Sequence, residues 1–169
     1  MAQVLTAVPA GSDLVIDTNV FVYGLTSQSP QCKAFLERCS NEEVTGITLF
    51  EVLHEATHKF MIAEATQKGV FTGKPERGAK YLAKHPAEVI ALSDYWSNTQ
   101  RLLALNLLVL PMEQAIVIRA QAERTNAGLL TNDSIIVAAM REYGISRIAT
   151  NDQQFDTVAG IIVFSPTDI

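Results

Sequence analysis

Leu14-Val15-Ile16-Asp17-Thr18-Asn19 runs three β-favouring apolar residues straight into a turn sequence that opens with an acid. A short apolar run bounded by Asp and Asn reads as a buried strand. Similar runs recur at 44–47, 107–110, 147–149 and 161–164. Between them the apolar spacing is helical, at 30–40, 48–67, 86–105, 113–126 and 133–143. Pro86 suits a first helical turn, while Gly128 and Gly144 stand where helices end. Strands alternating with helices make βαβ units, which predicts one α/β domain over residues 1–169 with a parallel sheet covered on both faces. In such sheets, sites form beyond the carboxyl ends of the strands.

Composition agrees with a packed domain. The 169 residues are 48% hydrophobic and 18% charged, with mean hydropathy +0.16. That is enough apolar material for a core, and it excludes disorder, coiled coil and fibrous repeat. Thirteen Lys and Arg against eighteen Asp and Glu leave a formal charge of −5. A net-acidic protein gains no overall attraction to nucleic acid or anionic membrane, so a polyanion partner needs a local basic patch or bound cations. The N-terminus shows no signal-peptide pattern. Cys32 and Cys39 lie seven apart on a predicted helix, about 10.5 Å of rise, which is too far for a disulfide. These features predict a cytoplasmic protein with reduced, buried thiols.

Acids recur at the predicted strand ends. Asp17 follows the first strand, and Glu51 lies in the first turn of the helix after the second. Asp133 follows Leu129-Leu130-Thr131-Asn132, and Asp152 follows Ile148-Ala149-Thr150-Asn151, with Asp156 four residues on. Singly, each has a structural explanation. Asp17 closes a turn, Thr48-Leu49-Phe50-Glu51 fits a capping box, Asn132 or Asp133 caps a helix, and Asn151-Asp152 is turn chemistry. Jointly they are harder to dismiss. Two carboxylates about 4 Å apart repel by roughly 4 kcal/mol at an effective dielectric near 20. Such a cluster stays ionised only around a cation, and oxygen ligands select Mg²⁺ or Mn²⁺ over Zn²⁺. Metals so held suit water activation and displacement at phosphate.

Val15-Ile16-Asp17-Thr18-Asn19-Val20-Phe21, Glu51 at a helix start, Thr131-Asn132-Asp133-Ser134-Ile135-Ile136-Val137-Ala138-Ala139 and Ala149-Thr150-Asn151-Asp152-Gln153-Gln154-Phe155 together resemble the PIN domain. That family comprises small metal-dependent ribonucleases, many of them toxins of VapBC toxin–antitoxin pairs. The resemblance implies a three-layer α/β/α fold with a central, mainly parallel sheet. It also implies an endoribonuclease that cleaves RNA phosphodiester bonds with metal-activated water. Asp17 and Asp133 would be the principal Mg²⁺ or Mn²⁺ ligands, completed by Glu51 and Asp152 directly or through water. Asn19, Thr150 and Asn151 would orient those carboxylates, and Asp156 matches a fifth acidic position. RNA substrate, a cognate antitoxin and a homodimer are the implied partners. A non-catalytic RNA- or protein-binding domain on the same fold is the alternative.

Two further features stand outside that pattern. His54-Glu55-Ala56-Thr57-His58 is a literal H-E-x-x-H on a predicted helix, the pattern of a zinc hydrolase. Met61 stands where the extended zinc-protease motif has Gly, and Lys59 puts a charge beside the second His. Residues 68–85 carry five of the thirteen basic residues and four helix-breaking Gly or Pro. Either they form a solvated face, or Lys68, Lys74, Arg77, Lys80 and Lys84 track an RNA backbone, with Lys74, Arg77 and Lys80 the foremost candidates, while Phe71 and Tyr81 stack a base.

Overall fold

The computed structural model of the chain describes residues 2–169, and at Glu76 the backbone alone. Strand β1 (Gln3–Val4) precedes β2 (Asp13–Ile16), helices α1 (Thr18–Leu25) and α2 (Pro30–Ser40), β3 (Thr45–Leu49) and the long α3 (Phe50–Gln67). Then come α4 (Pro75–Leu82), α5 (Pro86–Ile90), α6 (Asp94–Leu103), β4 (Leu107–Leu110), α7 (Gln114–Ala127), α8 (Thr131–Glu142), β5 (Arg147–Ala149) and β6 (Ile162–Ser165). The sheet order is β1-β6-β5-β2-β3-β4, and every pairing among the described residues is parallel.

From β2 the chain winds outward through β3 to β4, then returns to lay β5 against the other side of β2. Right-handed crossovers in opposite directions place the connecting helices on opposite faces. The α1–α3 and α6 helices pack together, while α7 and α8 pair as a separate hairpin. The expected α/β/α layering is therefore present. The point where the strand order reverses lies between the carboxyl ends of β2 and β5, where Ile16 pairs with Ala149. Beneath it the core is continuous: Leu14, Val15, Ile16, Phe21, Phe60, Val137, Met140 and Ile148 are all buried.

The structure departs from the periodicity in four places. Gln3–Val4 adds a two-residue edge strand at β1. Thr18–Leu25 is helical because the Asp17 carboxylate accepts from the Thr18 amide at 2.6 Å and caps α1. Within 68–85, Pro75 opens α4, and Gly78 lets that helix lie on Phe71, whose ring would sit 2.5 Å from an added Cβ. Ile62, Ala65, Phe71, Leu82 and Leu92 form a small second core beneath this segment. The single helix expected over 86–105 is broken at 91–93.

Glu64 causes that break. Its buried carboxylate accepts from the amides of Ser93 (2.8 Å) and Tyr95 (2.7 Å), which starts α6, and from Lys68 Nζ at 2.5 Å. Burial works against its charge, but Lys68 and the two amides outweigh it and hold the carboxyl down at about 2. Because the folded pKa is depressed, this stabilisation is complete above the ordinary carboxylate range and is lost as pH falls toward 2. We expect Glu64→Ala to cost about 3 kcal/mol in a denaturation measurement at neutral pH, since two amides and an ammonium lose their acceptor. The penalty should shrink between about pH 4.5 and 2; a penalty unchanged across that window would refute the assignment.

Candidate active site

Asp17 stands at the reversal point. Its Oδ2 accepts from Thr150 Oγ1 at 2.7 Å and from Asn19 Nδ2 at 2.5 Å, while Oδ1 takes the Thr18 amide. Asn19 Nδ2 also reaches Thr150 Oγ1 at 3.1 Å, and its Oδ1 accepts from the Asn151 amide at 2.9 Å. Thr150 Oγ1 in turn accepts from the Asp152 amide at 3.0 Å. The residues expected to orient the acids therefore form one bonded cluster across the ends of β2 and β5. Burial lifts Asp17 above the usual carboxylate range, against the pull of Thr150 and Thr18.

Asp133 arrives from the opposite face, in the first turn of α8, and is pushed up to about 6. Desolvation is the leading cause, followed by the negative charges of Asp152, Asp17 and Glu55, with Lys59 acting against them. The charges of Asp17 and Asp152 thus both reach Asp133. Asp152 begins a 3-10 turn over Gln153–Thr157 and accepts from the Gln154 amide at 2.8 Å. Asp156 lies exposed on that same turn.

Glu51 is in the first turn of α3, but it does not cap that helix. Thr48 stays in β3 with its hydroxyl directed to the Ile16 carbonyl, and Leu49 precedes the helix without a side-chain cap. Nor does Asn132 or Asp133 serve as a cap: α8 begins at Thr131 after Leu130. Freed from capping, Glu51 lines a narrow cleft with Glu55, Asn132 and Ile136 between α3 and α8.

Two residues of the site escape the motifs. Glu55 accepts from Asn132 Nδ2 at 3.2 Å and pairs with Lys59 Nζ at 2.9 Å. Burial opposes its charge, but Lys59 and Asn132 outweigh it and lower its pKa. Lys59 also favours the ionised forms of Asp17 and Asp133. Glu51, Glu55 and Lys59 recur every fourth residue, one stripe of α3. That spacing was the available signal, obscured by reading Glu55 within H-E-x-x-H.

The N-termini of α1, α3 and α8 thus converge with their acids, and each helix dipole favours negative charge there. Among the described residues, the two buried side-chain polar atoms without a hydrogen-bond partner are Thr18 Oγ1 and Glu51 Oε2. Thr18 follows Asp17 at the start of α1, and Glu51 lines the cleft with Glu55 and Asn132 but is not among the charges that act on Asp17 or Asp133. An orphaned buried acceptor costs about 1–3 kcal/mol unless a ligand satisfies it. Mutually repelling carboxylates with a spare oxygen fit a hard divalent cation. No three His, Cys, Asp or Glu among the described residues are gathered closely enough to hold a metal by themselves. Mg²⁺ tolerates this, since it binds through one or two carboxylates and keeps several waters. Catalytic zinc requires three protein ligands. His54 and His58 are exposed, and Glu55 is engaged by Lys59 and Asn132, so the geometry does not assemble the zinc hydrolase.

Cys32 and Cys39 are buried free thiols, pushed up to about 11 and about 12 by burial, which leaves them inert. No helix among the described residues is long and apolar enough to cross a membrane.

Comparison with known proteins agrees with this architecture. No curated protein matches the sequence. Among solved structures, VapBC2 from Rickettsia felis, bound to a promoter DNA fragment, aligns with TM-score 0.53 and 15% identity over 90% of this chain and 98% of that one. A toxin–antitoxin complex from Klebsiella pneumoniae aligns with TM-score 0.54 and 16% identity, over 88% and 95%. VapC20 from Mycobacterium tuberculosis, a sarcin-ricin loop cleaving toxin, aligns with TM-score 0.55 and 11% identity, over 86% and 95%. At these identities the likeness establishes the fold. The profile of the PIN domain matches residues 14–161, nearly the whole domain, and the chain belongs to that family.

Proposed function

We propose that the protein is a Mg²⁺- or Mn²⁺-dependent endoribonuclease, the toxin of a VapBC-type pair with a cognate antitoxin and a second copy of itself as partners. The observation that carries this is the gathering of acids at one end of the sheet: Asp17 is bonded to Thr150 across the ends of β2 and β5, Asp152 follows β5, and Asp133 opens α8. Burial first, and then the neighbouring acids, raise the Asp133 carboxyl to about 6, and a bound divalent cation would relieve the repulsive part. Membership of the PIN family and the likeness to toxin–antitoxin structures support the same reading.

A divalent ion there would supply charge neutralisation at phosphate and activation of water. The chain's own groups do the rest. Asp17, fixed by Thr18, Asn19 and Thr150, is presented in one orientation. Asp133 and Asp152 would share the charge of the ion with it, and Glu51, whose buried oxygen has no hydrogen-bond partner, would complete the set. Hydrolysis then joins water oxygen to phosphorus, breaks one P–O bond, and passes a proton to the departing ribose oxygen.

Asp133→Asn is the cleaner probe, because it removes charge without touching a cap. Asp17→Asn also turns an amide toward the donors of Asn19 and Thr150, so it weakens the tie between β2 and β5 as well. Calorimetric titration of metal-stripped protein with Mn²⁺ should show binding that Asp133→Asn abolishes and His58→Ala leaves intact. RNA cleavage should follow the same pattern, falling by about 10²-fold or more in Asp133→Asn. Cleavage retained in Asp133→Asn would sink the assignment.

Stability gives an independent reading. In metal-free protein at pH 7, Asp133→Asn should raise stability by about 1–2 kcal/mol, less than the full shift implies because the group is half-solvated. The folded pKa is raised, so ionisation is what costs stability, and the advantage should fade as pH falls below about 6. A mutant no more stable than wild type at pH 7 would show that the acids do not repel.

A further inference from the structure

Outside the acidic site the strongest concentration of unused chemistry lies on α4. A cavity of about 750 Å³ is lined by Phe71, Arg77, Lys80, Tyr81, Lys84 and His85, together with the backbone around Gly69. Arg77, Lys80 and Tyr81 lie on α4 at i, i+3 and i+4, and Lys84 and His85 follow on the turn that ends it. Lys74, grouped with them by sequence, precedes α4 and does not line the cavity. Lys84 and His85 do.

The charge balance is lopsided. Residues 68–85 hold five Lys or Arg and one Glu, whereas the rest of the chain holds eight against seventeen acids. Lys68 is committed to Glu64 and Asp94. Among the described residues, Arg77, Lys80 and Lys84 form no ion pair, and all three are exposed. No carboxylate among the described residues lines the cavity. Its aromatic members are ordered: Tyr81 and His85 stack at 3.9 Å and 14°, and Phe71 lies 6.1 Å from Tyr81. His85 Nδ1 is 2.8 Å from the Tyr81 carbonyl, and Phe71 is pinned beneath Gly78. The face is therefore a fixed platform on its own small core.

A second cavity of about 900 Å³, whose lining includes Glu64 and Asp94, lies along α3 between the two regions. It runs along α3 from His58 and Lys59, beside the acids, to Gln67 and Pro75, where α4 begins. From Glu51 to Gln67 the helix rises about 24 Å. That is about seven nucleotides of a stacked strand at ~3.4 Å each.

We propose that this pocket is a second RNA site, which holds the phosphates of a single strand on Arg77, Lys80 and Lys84 and stacks a base on the Tyr81–His85 pair. It anchors substrate several nucleotides from the acids and supplies the local positive charge that the net-acidic protein otherwise lacks. Unpaired cations interleaved with ordered aromatics suit a strand with both phosphates and π-faces, and an acidic peptide would use only the cations. The inference rests on the ribonuclease reading for its ligand alone.

The test uses the full chain carrying Asp133→Asn, in EDTA, so that nothing is cut and the unneutralised acids repel RNA. Anisotropy of a labelled oligouridine of roughly twelve nucleotides is followed against salt, longer than the ~7 that span the distance. Adding Arg77→Ala, Lys80→Ala and Lys84→Ala should weaken binding at least tenfold near 0.1 M salt and lower the log–log salt slope by about 2, at ~0.7 per phosphate. A ribose-phosphate strand without bases should bind at least about fivefold more weakly than oligouridine. An unchanged affinity and slope in the triple variant would overturn the site. So would polyglutamate competing as well as RNA, which would reassign the pocket to an acidic protein. Pocket-dependent RNA binding by a wild-type protein that cuts nothing in Mg²⁺ would leave this site standing and remove the nuclease reading instead.

Discussion

The bonds around the Asp17 carboxylate are what the rest of the site depends on. One oxygen starts α1 by taking the Thr18 amide, and the other ties the end of β2 to the end of β5 through Thr150 and Asn19. These strands are distant in sequence and adjacent in the sheet, at the point where strand order reverses. Burying a carboxylate there is costly, and three donors offset much of that cost. Because the tie is rigid, it also fixes where Asp152 and Asn151 emerge from β5. The fold and the site share their central bond.

This explains why structural and functional readings of the acids do not compete. Asp17 is a helix cap, and Asp152 makes a turn bond to Gln154, yet both charge the environment of Asp133. Glu51 behaves differently: with no capping task, it keeps a buried oxygen without a partner. An acid whose oxygens are all engaged stabilises the apo fold. One left unengaged is held there at a cost, and that cost points to a ligand.

Much of the architecture was legible because parallel strands are short apolar runs and helices repeat every 3.6 residues. The β2–β5 strands, α2, α3, α7 and α8 follow that rule, and the motifs placed Asp17, Asp133 and Asp152 together. What was not legible depended on tertiary partners. Residues 18–25 carry no helical period of their own, and the Asp17 cap makes them α1. Residues 86–105 read as one helix until Glu64, some thirty residues earlier, claims the amides of Ser93 and Tyr95. Glu55 and Lys59 belong to the acidic site only because α3 presents every fourth residue to it, and H-E-x-x-H drew attention to the histidines instead. Lys84 is legible beside Arg77 and Lys80 in the basic run, whereas His85 joins them only through the turn after α4 that stacks it on Tyr81.

Lys59 completes the electrostatic picture. A site with Asp17, Asp133, Asp152, Glu51 and Glu55 needs positive charge whether or not a cation is bound, and Lys59 is the ammonium that reaches it. Being about 45% exposed, it can remain beside Glu55 or swing toward solvent at little cost. A divalent ion binding among the acids would release Lys59 from part of its task, at the mouth of the groove that leads to α4. On the proposed reading, the same residue would then be free to meet a phosphate. In a chain whose acids outnumber its bases, Lys59 beside the acids and Arg77, Lys80 and Lys84 around the α4 cavity are local positive charges, and on that reading they would draw RNA to this side rather than to the surface as a whole.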